Sequence, residues 1–338
     1  MRNGLKSIVT VFVLGFVFFS SPLASRGEKH IGTNDVQNSN GRILYVGGTG
    51  PGNYSKIQDA IDSASDNDTI YVYDDSSPYH ENILIDKSIT LLGENKTTTA
   101  VDAQGIGGNV VSISADRVIF SGFSVLNWGL DIYSPTGMYI HANDCKILGN
   151  IISCNYWRGY EAIKLNHSNN NSILNNIISH NDLGITVESS SQTIISKNLI
   201  EDSFGAGILL RFSNDNNISE NIIENNTYGM DVGNSFNNKI NSNEISYNTY
   251  GITISYSLKN IITENNFRKN IGYDAYNIFS FQPFWRNTWD ANYWNRGKLL
   301  PQIIFGYLES YKNILIIIPW INVDWRPAQK PYDISILN

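Results

Sequence analysis

The chain has 338 residues, with 24 basic and 31 acidic side chains and a formal net charge of −7. Binding to nucleic acid requires a basic face, so this charge balance argues against a nucleic-acid partner. The hydrophobic share of 41% is large enough for a substantial core and excludes a wholly disordered chain. Only 16% of the residues are charged, and 44 asparagines supply much of the remaining polarity. This composition indicates a repetitive, tightly turned fold.

The N-terminal segment, residues 1–25, is typical of a signal peptide. Arg2 and Lys6 precede an apolar run that ends at Phe19, and the small residues that follow suit a cleavage site. The run is shorter than the roughly twenty residues that span a bilayer. Residues 26–41 are then expected to form a flexible leader. An uncleaved N-terminal anchor stays open as the alternative to a cleaved signal peptide.

Two further features bear on export. Seven acceptor motifs for N-glycosylation are compatible with it, although an Asn-rich chain also produces such motifs by chance. They begin at Asn53, Asn67, Asn95, Asn166, Asn170, Asn217 and Asn225. Whether Cys145 and Cys154 form a disulfide stays open, and their spacing is not that of a metal site.

The first ordered elements are predicted to be a turn, a helix and a series of strands. The glycine-rich residues 47–52 lack the lysine of a phosphate-binding loop, so no nucleotide partner is expected. In residues 54–64, Ile57, Ala60 and Ile61 fall on one helical face. We expect this helix to cap the strands that follow, because an open strand edge invites aggregation. Strand candidates lie at residues 69–73, 82–85, 88–92, 110–113 and 118–120.

Residues 145–270 repeat with a period of about 22 residues. Six asparagines, each before an apolar-rich pair, define the period: Asn150, Asn176, Asn198, Asn221, Asn243 and Asn265. A second column, made of Gly184, Gly207, Gly229 and Gly251, keeps the same spacing, and each glycine precedes an apolar-x-apolar strand. Alternation with a period of two, separated by turn residues, indicates strands and excludes a helical repeat.

One architecture satisfies this period: an all-β solenoid over residues 42–270, the parallel β-helix, in which each period is one coil. Equivalent residues then stack at the strand spacing of about 4.8 Å. The six asparagines form a ladder whose side-chain amides bond along the solenoid. We expect Asn221→Ala to destabilise the fold by about 1–3 kcal/mol, because buried neighbours lose their hydrogen-bond partners.

The period stops after residue 270, where aromatic residues accumulate. Five of the seven tryptophans lie between Trp285 and Trp325. We expect residues 271–338 to form an aromatic-rich capping module that closes the solenoid. A sugar or partner site built from these tryptophans is the alternative.

These residues resemble the NosD-like right-handed parallel β-helix proteins, especially exported or surface members from archaea. The likeness rests on residues 45–60, 68–72 and 79–82 near one end and on residues 287–294 and 318–333 near the other. It implies a right-handed coil of the pectin-lyase type over nearly the whole mature chain. It does not define an activity, because the same coil carries lyases, hydrolases, esterases, binding proteins and passive surface proteins.

The resemblance raises two chemistries that the residues do not support. The founding members of the family are linked to copper delivery, and copper prefers Cys, Met and His ligands. In this chain His80, His141 and His167 are scattered and no dense cluster of soft ligands is present, so we expect no copper role and no other cofactor. Pectin methylesterases begin in a similar way, but their later pair of aspartates with matching Gln and Arg is missing here.

The strand after the glycine column places charged side chains on the outer surface. In neighbouring coils, Glu188 lies beside Arg211, with Asp231 diagonally near. These three residues are weak candidates for the catalytic cluster of a glycoside hydrolase, which needs an acid and a base, or of a polysaccharide lyase assisted by calcium. The alternative is a surface ion-pair ladder, worth about 0–1 kcal/mol per pair.

Aromatic side chains along one turn of the coils are candidates for sugar binding. They are Tyr156, Trp157 and Tyr160 in the longest period, followed by Phe204, Tyr228 and Tyr250 in later coils. Aromatic faces beside polar strands suit sugar rings. The alternative is that these rings cover the turn and stack on each other.

The sequence therefore predicts an exported cell-surface protein that binds a polysaccharide or another surface component without catalysis. A polysaccharide lyase or glycoside hydrolase is the first alternative. A structural surface spacer without a ligand is the second. No transmembrane span is expected in the mature chain.

Overall fold

The chain folds as a right-handed parallel β-helix of about 10 coils of roughly 23 residues, which confirms the predicted fold class. The computed structural model describes residues 41–105, 107–128, 135–154, 160–280, 286–309 and 317–335. The predicted signal peptide and the leader before residue 41 lie outside these ranges. Three sheets, named A, B and C, wind around one continuous core. Their strands, numbered in chain order, succeed one another as the chain passes from sheet to sheet.

Sheet A has eleven strands: β1 Ile43–Val46, β2 Thr69–Val72, β4 Thr90–Gly93, β7 Ile119–Ser121, β10 Lys146–Leu148, β13 Ser172–Leu174, β16 Ile194–Ser196, β19 Asn217–Ser219, β22 Lys239–Asn241, β25 Ile261–Thr263 and β28 Thr288–Asp290. Sheet B has nine: β5 Ala100–Asp102, β8 Ser124–Leu126, β11 Ile151–Ser153, β14 Ile177–Ser179, β17 Leu199–Glu201, β20 Ile222–Glu224, β23 Glu244–Ser246, β26 Asn266–Arg268 and β29 Tyr293–Trp294. Sheet C has eleven: β3 Ile83–Ile85, β6 Val111–Ile113, β9 Met138–Ile140, β12 Glu161–Asn166, β15 Leu183–Glu188, β18 Ala206–Arg211, β21 Tyr228–Gly233, β24 Tyr250–Ser255, β27 Tyr273–Ser280, β30 Gln302–Glu309 and β31 Ile317–Asp324.

The repeated aliphatic positions form two columns inside the coil. One column consists of Ile173, Ile195, Ile218, Ile240 and Ile262, and the other of Ile178, Ile200, Ile223, Ile245 and Phe267, all fully buried. The strand register pairs each residue with its equivalent one coil later. Each buried side chain contributes about 1.5–3 kcal/mol of burial free energy before the chain entropy is subtracted.

All six predicted ladder asparagines stack in one buried column. In each step the side-chain Oδ1 of one asparagine accepts the backbone N–H of the asparagine one coil earlier, at 2.9–3.0 Å. The side-chain amide nitrogen of Asn221 donates to the next Oδ1 in the column and to backbone carbonyls of its own and the previous coil. Because no water reaches this column, these bonds satisfy the turn backbone internally.

The ladder ends on a carboxylate. Asn265 donates to Asn292, one coil later, and Asn292 in turn has no asparagine above it. Asp324 Oδ2 takes that place and accepts the backbone N–H of Asn292 at 2.9 Å and its side-chain amide at 3.2 Å. The same oxygen accepts the indole N–H of Trp294 at 3.0 Å. Asp324 therefore closes the hydrogen-bond column that the asparagines leave open.

Three shorter ladders run along other corners of the coil. One joins Asn216, Asn238, Asn260 and Asn287, and a second joins Asn226, Asn248 and Asn270. A third uses serine hydroxyls in the same way and joins Ser168, Ser190, Ser213, Ser235 and Ser257. The asparagine content of the chain is thus explained by structural ladders at several corners of each coil.

A short helix covers the first coil, as the sequence predicts. This helix, α1 Ile57–Ser63, buries Ile57, Ala60 and Ile61. Its first N–H groups, those of Ile57 and Gln58, donate to the Glu81 carboxylate at 2.8 and 3.0 Å, because no side chain of the helix itself caps them. Nearby, the phenol of Tyr79 donates to the Tyr73 carbonyl at 2.7 Å. Glu81 therefore holds the start of the capping helix in place.

The coils continue beyond residue 270, where the 22-residue period is lost. Strands β27, β28 and β29 pair with β24, β25 and β26 and so complete another coil. Its interior is aromatic: the Phe267 ring stacks on Trp294 at 4.6 Å, and Trp289 lies 6.1 Å from Trp294. The hairpin β30–β31, joined antiparallel, extends sheet C past this coil. Trp289 and Trp294 therefore belong to the hydrophobic core at the C-terminal end of the solenoid, with almost no exposed surface.

Candidate functional site

A groove on the outward face of sheet C is the candidate site. It spans strands β18, β21, β24 and β27 and has a volume of about 440 Å³. The side chains and backbone that line it come from Arg211, Tyr228, Asp231, Gly233, Asn234, Thr253, Ser255, Tyr256, Tyr273, Tyr276 and Ile278. The groove thus combines one ion pair, several phenol rings and small hydroxyl side chains.

The ion pair in the groove joins Arg211 to Asp231. Arg211 Nη2 lies 2.7 Å from Asp231 Oδ2, and Nη1 lies 3.4 Å from Oδ1. The strand register places Gly233, not Asp231, directly beside Arg211 in the next coil. A Cβ at Gly233 would lie 2.1 Å from Arg211 Nη1, so the arginine lies flat across the glycine. Gly233 therefore provides the space in which Arg211 reaches its diagonal partner.

A row of tyrosines lies along the groove; Tyr228, Tyr273 and Tyr276 of this row line it, and the predicted Tyr250 lies between them without lining it. The Tyr228 and Tyr250 ring centroids are 5.0 Å apart, and those of Tyr250 and Tyr273 are 4.5 Å apart. Tyr276 continues the row at 5.2 Å from Tyr273. Because neighbouring rings contact one another, the faces of the middle rings are partly covered. The Tyr273 hydroxyl lies 2.8 Å from Thr253 Oγ1, and burial raises the pKa of this phenol, which keeps it protonated.

The three charged candidates from the sequence are only partly brought together. Arg211 and Asp231 share the groove, but Glu188 does not line it. Although Glu188 is aligned with Arg211 in the register, its carboxylate lies 3.3 Å from Lys164 Nζ, which also contacts Glu161 at 3.2 Å. Burial would lower the pKa of Lys164, but the two carboxylates outweigh it and raise that pKa. Instead of one cluster around Glu188 and Arg211, the structure has two ion-pair groups: Lys164 with Glu161 and Glu188, and Arg211 with Asp231.

Of the aromatic candidates from the sequence, some lie at the groove and others do not. Tyr228 lines the groove and stacks on Tyr250, whereas Phe204 lies outside the tyrosine column and is 83% exposed. The register explains this, because the residue aligned with Tyr228 in the previous coil is Ala206. Tyr160 is half-buried before β12, and the residues before it, which include the predicted Tyr156 and Trp157, lie outside the described part of the chain.

The sequence reasoning missed the C-terminal half of the groove. Tyr273 and Tyr276 lie in the coil after residue 270, which the 22-residue period no longer covers, and Thr253 and Ser255 belong to no motif that distinguishes them from other polar residues of the strands. A signal for Tyr273 was present, since it follows Tyr250 by 23 residues, as Gly207 follows Gly184. Tyr276 is aligned with Thr253 and Asp231 in the two preceding coils, so no aromatic column of those coils leads to it.

A row of acidic side chains lies on the outward face of sheet B. Glu201 and Glu224 are aligned in neighbouring strands, and Glu244 follows in the next strand. Burial, reinforced by neighbouring carboxylates, raises the pKa of Glu201 and Glu224, and burial raises that of Glu244. At one end of the row, Arg268 Nη1 lies 3.6 Å from the Glu244 carboxylate. The row is therefore a site of like-charge repulsion.

The coil and its groove define a protein of the parallel β-helix class, and solved structures share that fold at low sequence identity. Tailspike protein 2 of an Escherichia coli O157:H7 bacteriophage is 15% identical, with a TM-score of 0.57, over 71% of this chain and 38% of the tailspike. The DFA-IIIase of Arthrobacter chlorophenolicus A6, without its lid, is 12% identical, with a TM-score of 0.53, over 81% of this chain and 91% of the enzyme. ORF18 of Geobacillus virus E2 is 13% identical, with a TM-score of 0.51, over 75% of this chain and 57% of that one.

The family follows from the sequence match. Residues 61–298 match the family described as periplasmic copper-binding protein (NosD), and the chain belongs to that family. No curated protein matches the chain. The chain spans only about two fifths of the full-length tailspike that shares its fold.

Among the described residues, the cysteine and methionine side chains do not fit the copper ligation that the family description names. Cys145 and Cys154 form no disulfide, and both are buried in the core. Burial raises the pKa of Cys145 to about 11, which disfavours the thiolate that binds metals. Met138 and Met230 are fully buried as well. Over the described ranges, no three His, Cys, Asp or Glu side chains are grouped to hold a metal ion.

In the part of the chain that the structure describes, helices are too short or too polar to cross a membrane.

Proposed function

We propose that this protein is exported and binds a polysaccharide, without cleaving it, in the groove on sheet C. The observation that carries the proposal is the lining of the groove. Phenol rings of Tyr228, Tyr273 and Tyr276 lie beside the hydroxyl groups of Thr253 and Ser255. Sugars are recognised by this combination, because their C–H faces contact aromatic rings while their hydroxyls need donors and acceptors.

The charge of the groove favours a neutral glycan. Arg211 and Asp231 are the two charged residues among those that line it, and their charges balance. The Arg211 guanidinium keeps donors that Asp231 does not use, because it has five N–H groups in all. A neutral polysaccharide rich in hydroxyl groups can accept these hydrogen bonds without introducing an unpaired charge.

The carboxylates favour binding over hydrolysis. Glycoside hydrolysis uses two carboxyl groups on either side of the bond that breaks. Among the residues that line the groove, Asp231 is the one carboxylate, and it is paired with Arg211. Glu188, the second predicted acid, is bonded to Lys164 outside the groove. The hydrolase alternative therefore lacks a second acid where the ligand would lie, and the calcium-assisted lyase alternative has a single acidic side chain there to hold the ion.

Location outside the cytoplasm is supported by two observations. The N-terminal residues have the charge and apolar pattern of a signal peptide. The family to which the chain belongs is described as periplasmic. A surface location places the outward face of sheet C in contact with envelope polysaccharides.

The test is an array of neutral and acidic polysaccharides, probed with the full chain, Tyr276→Ala and Arg211→Ala, with and without calcium. Soluble sugar products are assayed in the same wells. We expect binding by the unchanged chain, weaker binding by both variants and no products. Product formation that Asp231→Asn abolishes would make the protein an enzyme. The absence of binding by a folded chain would favour the structural spacer.

A further inference from the structure

The acceptor motifs for N-glycosylation differ in what the fold does with each asparagine. Attachment of a glycan requires an asparagine in a surface loop, with a Ser or Thr hydroxyl two residues later. In several motifs the asparagine is already engaged. The side-chain amides of Asn53, Asn166 and Asn170 donate hydrogen bonds to neighbouring groups. Asn217 is half-buried within strand β19. These asparagines are therefore poor acceptors in the folded chain.

Two other asparagines are exposed, but their threonine hydroxyls are directed elsewhere. Asn67 and Asn225 lie on the surface, with φ angles of 70° and 57°. Thr69, two residues after Asn67, belongs to strand β2. The Thr227 hydroxyl, two residues after Asn225, donates to the Phe204 carbonyl. Within the described ranges, no hydrogen bond joins either hydroxyl to its own asparagine, so exposure alone does not complete these two motifs.

Asn95 is the acceptor whose whole motif is presented on the surface. It is exposed in the turn between β4 and β5. Its Oδ1 accepts the backbone N–H of Thr97 at 3.0 Å and the Thr97 hydroxyl at 2.9 Å, which is an Asx turn. Because the amide oxygen faces Thr97, the amide nitrogen is turned away from it. No described group accepts a hydrogen bond from this Nδ2.

The turn that carries Asn95 is held firmly to the coil. The backbone N–H of Thr99 donates to the Asn95 carbonyl at 2.7 Å, and the Asn95 N–H donates to Thr99 Oγ1 at 3.1 Å. Thr99 itself is fully buried. From the next coil, the Ser124 hydroxyl donates to the Lys96 carbonyl at 2.6 Å. The folded chain therefore presents the motif without any local opening.

We propose that Asn95 is an N-glycosylation site of the folded, exported chain. The donor is an oligosaccharide on a polyprenyl diphosphate, brought by a membrane transferase. Asn95 Nδ2 attacks the anomeric carbon, so that a C–N bond forms while the bond from that carbon to the diphosphate oxygen breaks. The lipid diphosphate leaves with the electron pair of that bond, and the proton of Nδ2 passes to a base of the transferase.

The hydrogen bonds to Oδ1 favour this step. An amide nitrogen is a weak nucleophile because its lone pair is delocalised onto the carbonyl oxygen. When Nδ2 loses a proton, negative charge accumulates on Oδ1, where the two donors of Thr97 stabilise it. The hydroxyl of the motif is therefore placed at the atom that receives the charge.

The modification site is separate from the sheet C groove. Asn95 lies between a strand of sheet A and a strand of sheet B, and it does not line the groove. The proposal relies on the export part of the proposed function and not on glycan binding. Loss of glycan attachment and loss of glycan binding can therefore be distinguished.

The experiment incubates the folded full chain with a purified oligosaccharyltransferase and a polyprenyl-diphosphate oligosaccharide. Mass spectrometry of proteolytic peptides then gives the glycan attached at each motif. Asn95 should carry at least about tenfold more glycan than any other motif, because the engaged motifs must first open locally. Unfolded synthetic peptides centred on Asn95, Asn67 and Asn225 should be modified to similar extents, since the fold no longer selects among them.

Variants separate the motif from the rest of the surface. Asn95→Gln and Thr97→Val should abolish transfer to the folded chain, and Thr97→Ser, which keeps the hydroxyl, should retain it. Asn225→Gln is the matched control, because Asn225 is also exposed and is followed two residues later by a threonine. This variant should be modified like the unchanged chain. Circular dichroism melting confirms that each variant is folded.

Several results would overturn the proposal. Equal glycan at Asn67 or Asn225 in the folded chain would show that the turn at Asn95 has no special role. Transfer to the Asn95 peptide but not to the folded chain would show that the fold hides the site. A lack of transfer to both would show that the motif is not a substrate at all.

Discussion

The Asn221→Ala substitution tests whether the asparagine ladder stabilises the coil. Asn221 Oδ1 accepts the backbone N–H of Asn198 at 3.0 Å and its side-chain amide at 2.9 Å. Both asparagines are fully buried, so water does not replace the lost acceptor. The Asn198 side-chain amide keeps two backbone carbonyls as partners, but its backbone N–H keeps none.

The expected cost follows from these bonds. A buried N–H without a partner costs about 1–3 kcal/mol. The carbonyls of Ile195 and Ser219 each lose the donor that Asn221 Nδ2 supplies, which adds a smaller term because a carbonyl oxygen tolerates incomplete bonding better. The total is about 2–4 kcal/mol. Loss of one rung should also loosen the coil locally.

The assay is equilibrium unfolding in urea, together with hydrogen exchange of the Asn198 amide. The matched control is Asn217→Ala, because Asn217 is a half-buried outward residue of β19 that is outside the ladders. Asn221→Ala should lower the free energy of unfolding by at least about 1.5 kcal/mol more than the control does and speed exchange at Asn198. Equal effects of the two substitutions would refute the ladder as a source of stability.

Three further substitutions separate stability from binding. Gly233→Ala should displace the Arg211 side chain and weaken glycan binding, measured by pull-down, while the melting temperature falls by only a few degrees, because the clash is with a flexible side-chain end. Burial and the Glu244 carboxylate raise the pKa of Glu224 in the folded chain, so the free energy of unfolding falls as the pH rises from the unfolded-state pKa through the folded-state pKa. Glu224→Gln should therefore raise the melting temperature at pH 7 and lose this advantage below about pH 4, where Glu224 is protonated in both states. A stabilisation that persists below that pH would contradict like-charge repulsion as its cause. Asp324→Leu should remove hydrogen-exchange protection from the last coil, whereas Asp324→Asn, which keeps an acceptor oxygen, should reduce that protection less. Equal protection in the two variants would show that the carboxylate does not close the ladder.

The coil could be predicted from the sequence because its physical requirements repeat in the sequence. Each turn needs a buried polar side chain that bonds along the axis, and Asn150 to Asn265 repeat at the coil length for that reason. The columns that begin at Asn216, Asn226 and Ser168 keep the same spacing, but the repeat pattern alone does not show that they are buried ladders. The strands beyond residue 270 are not marked by the period, because the step from Asn265 to Asn292 is 27 residues.

The groove could be predicted only in part, because alignment within a column does not decide which side chains meet. Glu188 and Gly233 are both aligned with Arg211, in the previous and the next coil. Lys164 engages Glu188, and the missing side chain at Gly233 lets Arg211 reach Asp231. Which ion pairs form depends on side-chain length and on competition between neighbouring charges, and a repeat pattern carries no information about either.

The central claim, binding of a glycan in the sheet C groove, is tested most directly by calorimetric titration with the polysaccharide that gives the strongest array signal. The unchanged chain is compared with Tyr276→Ala in the groove and with Tyr247→Ala, a control tyrosine that is 48% exposed and does not line the groove. Tyr276→Ala should raise the dissociation constant at least tenfold, or about 1.4 kcal/mol, and Tyr247→Ala should leave it unchanged. Equal affinities for all three proteins, or an equal loss in both variants, would contradict the assignment of the groove as the binding site.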